Sequence, residues 1–146
     1  MRDSIRKVGK SKKVLAVLLS VLMVLSVFQV QRAEAVSHKN IIIAQMKGNT
    51  VSYYKLIGSS ELIPDSPIGN LIGYGKKKKI KIASNAEYYC LSPYGKKVKV
   101  SKKKFKKNLN GSSKNNWKGT IYYTGMACRV TIKNGKCVKF VQLYQA

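Results

Sequence analysis

This chain is short of acid. Five Asp and Glu stand against 29 Lys and Arg in 146 residues, a formal net charge of +24, and no carboxylate side chain follows Glu87. Beyond residue 35 the acids are Glu61, Asp65 and Glu87. Glycoside hydrolysis needs two carboxyl groups at a defined separation. Glu61 and Asp65 fall in one proline-punctuated stretch, where turn formation and solvation account for them. Imidazole is as rare, with His38 the one histidine. A Cys–His nucleophile would require His38 to fold back onto Cys90, Cys128 or Cys137. Those cysteines form no Cys-x-x-Cys, and with one histidine they fall short of a zinc site. No Walker or Rossmann glycine loop is present, because the lysine-rich glycine turns lack the spacing. These absences argue against an enzyme and imply no cofactor and no metal.

Arginine is missing too: after residue 35, Arg129 is the only one. Bidentate reading of guanine, or of fixed phosphate geometry, favours Arg, whereas Lys acts as a mobile point charge. That bias points to diffuse attraction to a repeating polyanion over sequence-specific reading of nucleic acid. The chain also has no long amphipathic helix with a bulky apolar face, which counts against a membrane-active cationic protein.

The one long hydrophobic run is at the start. Arg2, Arg6, Lys7, Lys10, Lys12 and Lys13 precede an uncharged stretch, Val14 to Phe28, and Ala33-Glu34-Ala35 supplies a small-x-small site. This is the pattern of a secretory signal peptide over residues 1–35, cut between Ala35 and Val36. The run is shorter than the roughly 20 residues that span a bilayer comfortably; an uncleaved, cytoplasm-in anchor is the rival reading. Export implies transient membrane contact and a secreted, extracellular destination, with the cell wall as the nearest anionic surface. No cysteine closely follows the run, and residues 142–146 carry neither a hydrophobic tail nor a sorting motif. Free secretion is therefore expected over lipid or covalent attachment. Removing residues 1–35 takes away seven of the 29 bases and two of the five acids, so 22 bases and three acids remain, a net +19. Solubility asks for roughly 2 to 8 in a small domain. Such self-repulsion destabilises a compact state unless an anion relieves it.

The remainder reads as one small domain, with residues 36–40 a flexible N-terminus and 41–146 a lysine-rich β-domain. Ile41 to Met46 and Thr50 to Ile57 flank a Gly-Asn turn and predict a hairpin. Residues 58–75 read as a loop, punctuated by Pro64-Asp65, Pro67 and Gly69-Asn70. Two similar segments follow, Tyr74 to Ile82 and Tyr94 to Val100, each a glycine turn leading into alternating lysine and β-branched residues. Alternation sets Ile80, Ile82, Val98 and Val100 on one face and lysines on the other. Ala86 to Leu91 lies between them as a strand. Ser101 caps a short helix from Lys102 to Leu109, ended by Asn110-Gly111. A polar loop over 111–116 and a strand over 117–124 come next. Met126 to Lys133 and Lys136 to Leu143 close the chain as a hairpin with a type I′ Asn134-Gly135 turn. In that register Lys133 faces Lys136, Ile132 faces Cys137 and Cys128 faces Val141. Cys128 and Cys137 are then about 13 Å apart along the strands, beyond disulfide reach. Any bridge in the monomer must include Cys90; buried free thiols are the alternative.

Strands, one short helix before the last pair, and a closing Asn-Gly hairpin resemble the small OB-like barrels of secreted proteins from Gram-positive bacteria. Lys96 to Leu109 and Val130 to Val141 carry the resemblance, which covers about Ile41 to Tyr144. It implies a mainly β, single-domain OB-like barrel, or a curled antiparallel sheet, with one short helix. In OB folds the second and third strands and adjoining loops form the binding face.

Lysine is the abundant functional group. Lys76, Lys77, Lys78, Lys79 and Lys81 line one strand, and Lys96, Lys97, Lys99, Lys102, Lys103, Lys104, Lys106 and Lys107 crowd the second strand and the helix. On a shared sheet these faces would run together. Like charges opposed across strands are destabilising, and a bound polyanion would relieve them; a solvated face that deters edge pairing is the plainer account. Tyr53-Tyr54, Tyr88-Tyr89 and Tyr122-Tyr123 are adjacent pairs, and strand neighbours point to opposite faces. One member of each pair, taken as Tyr53, Tyr88 and Tyr122, would be free to stack on bases or sugars, although tyrosine is also simply a good strand residue. The expectation is a secreted, monomeric, non-enzymatic binder of an anionic cell-wall polymer such as teichoic acid, or of an anionic glycan. An OB-like nucleic-acid-binding module is the second reading, and a cationic membrane-active protein the third.

Overall fold

The structure, a computed structural model, describes residues 12–21, 34–63 and 70–145. The chain divides into two compact units, Met1–Glu34 and Ala35–Ala146. In the first, residues 12–21 are helical (α1). The basic segment Arg2–Lys10, the end of the apolar run and Ala33 lie outside the described residues. No helix among the described residues is long and apolar enough to cross a membrane.

The second unit is mainly β. Its elements are β1 (Val36–Lys47), β2 (Thr50–Gly58), α2 (Ser59–Leu62), β3 (Leu71–Leu91), β4 (Lys97–Val100), α3 (Lys102–Lys107), β5 (Ser113–Trp117), β6 (Thr120–Thr124), β7 (Ala127–Lys133) and β8 (Lys136–Gln142). All eight strands belong to one mixed sheet. β1 pairs with β2 and β7, β2 with β3, β3 with β8, and β8 with β7. Each of these five strands therefore has two partners within the set, and only β3–β8 is parallel. β4 pairs with the far end of β3, and the β5–β6 hairpin joins at Gly73↔Tyr123.

Several expectations from the sequence change. Residues 36–40 are not a loose terminus: they open β1 and pair with β7 from Val36↔Lys133 to Asn40↔Arg129. Their polar side chains stay exposed, so the hydrogen-bonding demand of the β7 backbone, rather than burial, holds them. The segment around Tyr74–Ile82 and that at Ala86–Leu91 are one strand, β3, because different neighbours continue along it: β2 at 71–81, β8 at 81–89 and β4 at 88–91. The polar stretch before Trp117 is itself a strand, turned into β6 by Lys118 and Gly119 at φ 47° and 88°. Asn116 Oδ1 accepts from Gly119 N at 2.9 Å and stabilises that turn. Within the expected loop over 58–75, Ser59–Leu62 is helical and residues 71–75 already belong to β3; Pro64-Asp65, Pro67 and Gly69 lie outside the described residues.

The closing hairpin turns on Asn134 and Gly135, both at positive φ (50° and 72°) as a type I′ turn requires. Lys133↔Lys136 and Ile132↔Cys137 face each other, but Thr131 faces Lys139. A bulge at Val138 thus moves Cys128 opposite Gln142 instead of Val141. Cys128 and Cys137 still point inward, and all three cysteines are free and buried.

Two apolar clusters are buried in this unit. The larger holds Ile41, Ile43, Val51, Tyr53, Ile82, Tyr88, Phe105, Val130, Phe140 and the cysteines. The smaller is Ile63, Ile72 and Tyr122, with Ile57, Leu62 and Trp117 against it. Gly73 permits close approach between strands, since a Cβ there would lie 2.8 Å from Tyr54 Cβ and 3.1 Å from Ile42 Cβ.

Candidate functional site

α3 is an improbable helix by composition: five of its six residues are lysine. The like-charged Lys102/Lys106 and Lys103/Lys107 spacings each cost about 0.2–0.5 kcal/mol. Two interactions outweigh them. Ser101 Oγ accepts from Lys104 N at 3.2 Å, a cap worth about 1 kcal/mol. Phe105 is fully buried, its ring 5.2 Å from Tyr88 and 5.8 Å from Phe140, and burial of that size contributes about 1.5–3 kcal/mol. Lys103, Lys104, Lys106 and Lys107 are left exposed around this one anchor.

Lys76, Lys77, Lys78, Lys79 and Lys81 are exposed on β3, as are Lys96, Lys97 and Lys99 on and before β4. The two groups do not form the continuous strip the repeat suggested. Residue 81 pairs with both β2 and β8, and residues 88 and 89 with both β4 and β8, so β2 and β4 lie along the same edge of β3 at separate stretches. Lys81 and Tyr88 are seven residues apart in the chain, but β3 is irregular between Ile82 and Glu87 and their β8 partners, Lys136 and Phe140, are only four apart, roughly 13 Å along the strand. Lys102 spans part of the gap: its Nζ donates to Asn49 Oδ1 in the β1–β2 turn at 2.8 Å. The expected inward face of β4 is only half realised. Val100 packs on the larger cluster, while Val98 is 46% exposed on this edge strand.

Lysines outside the expected set complete a row across the strands. From Lys47 the paired residues run to Thr50, Lys81, Lys136, Lys133 and back to β1 at Val36. Lys47, Lys81, Lys133 and Lys136 adjoin core residues Met46, Ile82, Ile132 and Cys137 in the chain, so they point outward. Lys81 directly faces Lys136. The signal was partly legible, since Lys133 and Lys136 bracket one turn and Lys47 precedes the other, but only the parallel β3–β8 pairing brings Lys81 beside them.

The tyrosine expectation fails. Tyr53, Tyr88 and Tyr122 are buried, at 7%, 4% and 6% exposure, and stack on no solvent-facing surface. Tyr88 packs against Phe140 at 5.2 Å with rings nearly parallel. Tyr54 is buried as well, stacked 3.6 Å from Tyr123, because the β5–β6 hairpin covers the second face of β2 and β3. Alternation predicts two faces but cannot reveal that both are covered. The half-exposed tyrosines are Tyr74, Tyr89 and Tyr123; Lys55 lies 5.4 Å over Tyr74 and Lys139 4.8 Å over Tyr89.

Electrostatics at the remaining groups are local. Lys99 Nζ donates to Glu87 Oε1, and Tyr89 Oη donates to Oε2 at 3.2 Å. The hydrogen bond from Lys99 leads in holding the Glu87 carboxyl below its ordinary range, and the same bond raises Lys99. Burial pushes the Cys128 thiol far up and the Cys137 thiol up to about 11, against a small opposing pull from Lys39. Asn108 Nδ2 donates to Cys90 Sγ at 3.4 Å. His38 Nδ1 sits 3.2 Å from Thr131 Oγ1, across the ladder and away from the thiols' inward face. Among the described residues no three His, Cys, Asp or Glu side chains come together. No family model, curated protein or solved structure matches this chain.

Proposed function

We propose that this is a secreted, non-enzymatic protein whose β-unit is an OB-like barrel that binds an anionic polymer, a wall teichoic acid or an anionic glycan, through its outward lysines. The barrel reading rests on the strand circuit. Following paired residues once round, from Lys47 back to β1 at Val36, shifts the register by 47 − 36 = 11 residues. Closed barrels require such a stagger, because their strands tilt. The parallel β3–β8 pair and a helix between β3 and β7 complete the pattern. In OB folds the second and third strands and the turns after the first and fourth strands bind ligand. The corresponding elements here are β2–β3 and the turns at Gly48-Asn49 and Asn134-Gly135.

The observation that carries the polyanion reading is Lys81 facing Lys136 across β3–β8. A protein gains nothing structural by opposing like charges, and a chain of phosphates or carboxylates laid along the row would relieve that repulsion. Lys102, held to Asn49, extends the row toward α3. Export is supported by the position of Val36: it is the first residue of β1, so a cut after Ala35 removes no strand residue.

The test is sedimentation of the purified protein with Gram-positive cell walls at physiological salt, before and after the teichoic acids are stripped. Loss of binding on stripping is expected. Equal binding would remove wall polymer as the ligand. No binding to walls, with retention on single-stranded DNA, would favour the nucleic-acid reading.

A further inference from the structure

β1 and β2 pair from Lys47↔Thr50 to Ile41↔Lys55 and then part. Before Ile41, β1 continues along β7; after Lys55, β2 continues along β3. The fork between them is a cavity of about 410 Å³, lined by Ile41, Tyr53 and Leu56, by Asn40, and by Lys39, Lys55 and Lys78. Among the described residues no carboxylate lines it. The strand edges facing the fork carry no ladder to each other, so backbone groups there are available to a guest.

These three lysines differ from the rest in which way they face. Lys39 is the ladder partner of Val130, Lys55 of Ile41 and Lys78 of Tyr53. Those partners are 1%, 1% and 7% exposed and belong to the larger core. Directly opposed residues point to the same side of the sheet, so Lys39, Lys55 and Lys78 continue the inward row where the core opens to solvent. A lysine aimed at open solvent stays hydrated and meets no desolvation cost. A cluster of three beside apolar side chains, with no acid among the described residues lining the fork, resists the desolvation that closer packing would impose. The volume falls within the range of small-molecule pockets, which combine an apolar lining with a few placed polar groups.

We propose that the fork binds a small organic anion: one phosphate or carboxylate head on an apolar, ring-sized body. The head is held by Lys39, Lys55 and Lys78, and the body lies against Ile41, Tyr53 and Leu56. This site is separate from the outward lysine row and does not depend on it.

The test is an NMR titration of the ¹⁵N-labelled full chain with phenyl phosphate at constant ionic strength, with benzoate and inorganic phosphate as comparators. Saturable shifts confined to residues 39–41, 53–56 and 78 are expected. Inorganic phosphate should bind at least tenfold more weakly than phenyl phosphate, because it has no body to bury. K39Q/K55Q should weaken phenyl phosphate at least tenfold, whereas replacing the five α3 lysines with Gln should change it less than twofold. If K39Q/K55Q loses native spectral dispersion, K78Q alone supplies the comparison. Equal binding of inorganic and phenyl phosphate, non-saturating shifts spread over α3, or unchanged affinity in a folded fork variant would each overturn the proposal.

Discussion

On α3, five lysines surround one buried side chain, Phe105; in the β1–β2 fork, three lysines each stand across the ladder from one. The same residue type is therefore placed by two different forces. A single aromatic anchor and a serine cap seat the helix, and its exposed charges keep the freedom of long side chains. In the fork, strand register fixes where each lysine starts and which way it faces. Mobile charges suit attraction to any flexible polyanion, with strong dependence on salt. Register-fixed charges beside an apolar surface suit discrimination by shape, because a guest must fill the cavity to reach all three.

The comparison can be broken most forcefully at its anchor. Phe105→Ala should cost about 3–5 kcal/mol, as expected for a fully buried aromatic. Urea denaturation should record that loss, and phenyl phosphate shifts at the fork should persist in the fraction that stays folded. Gly73→Ala strikes the other side: the new Cβ meets Tyr54 and Ile42, and overpacking of this kind costs about 1–3 kcal/mol. Hydrogen exchange should quicken along β2 and the start of β3 and stay unchanged at α3. Ser101→Ala removes only the cap, at about 1 kcal/mol. The α3 amides should exchange faster while the fork resonances hold their positions. A matching loss of protection at the fork would mean that the two lysine sets are structurally coupled.

The smallest effect concerns pH. Glu87 is lowered by its hydrogen bond from Lys99. Its contribution is therefore present above the ordinary carboxylate range and is lost as pH falls through the lowered value. Both side chains are solvent-accessible, so the effect on melting temperature should be slight, confined to acid conditions and absent in Glu87→Gln. A large acid transition shared by Glu87→Gln would place the responsible carboxyl elsewhere.

How much of this was legible in the sequence differs by element. Asn134-Gly135 announces its turn because few other pairs adopt two successive positive φ angles without strain. Lys118-Gly119 makes a comparable turn unannounced, since lysine at φ 47° is held there by its surroundings. Ser101 and Phe105 mark α3 because cap and anchor are local, spaced along one turn. The outward lysines of β3 follow from alternation with Ile80 and Ile82. Burial of both Tyr53 and Tyr54 does not follow, for alternation counts faces and leaves open what covers them.

The sequence by itself determined a β-rich, strongly basic chain with a leader-like start, a closing hairpin and three thiols without a close-spaced pair. Those properties reside in composition, in neighbours one to four residues apart and in turn chemistry. Tertiary structure alone decided which lysines became neighbours. Lys81 meets Lys136, 55 positions further along the chain, through a parallel strand pairing, and Lys39, Lys55 and Lys78 share a cavity because β1 and β2 part where β7 and β3 draw them away. Long-range register depends on the closure of the whole strand set, and no local window of residues contains it.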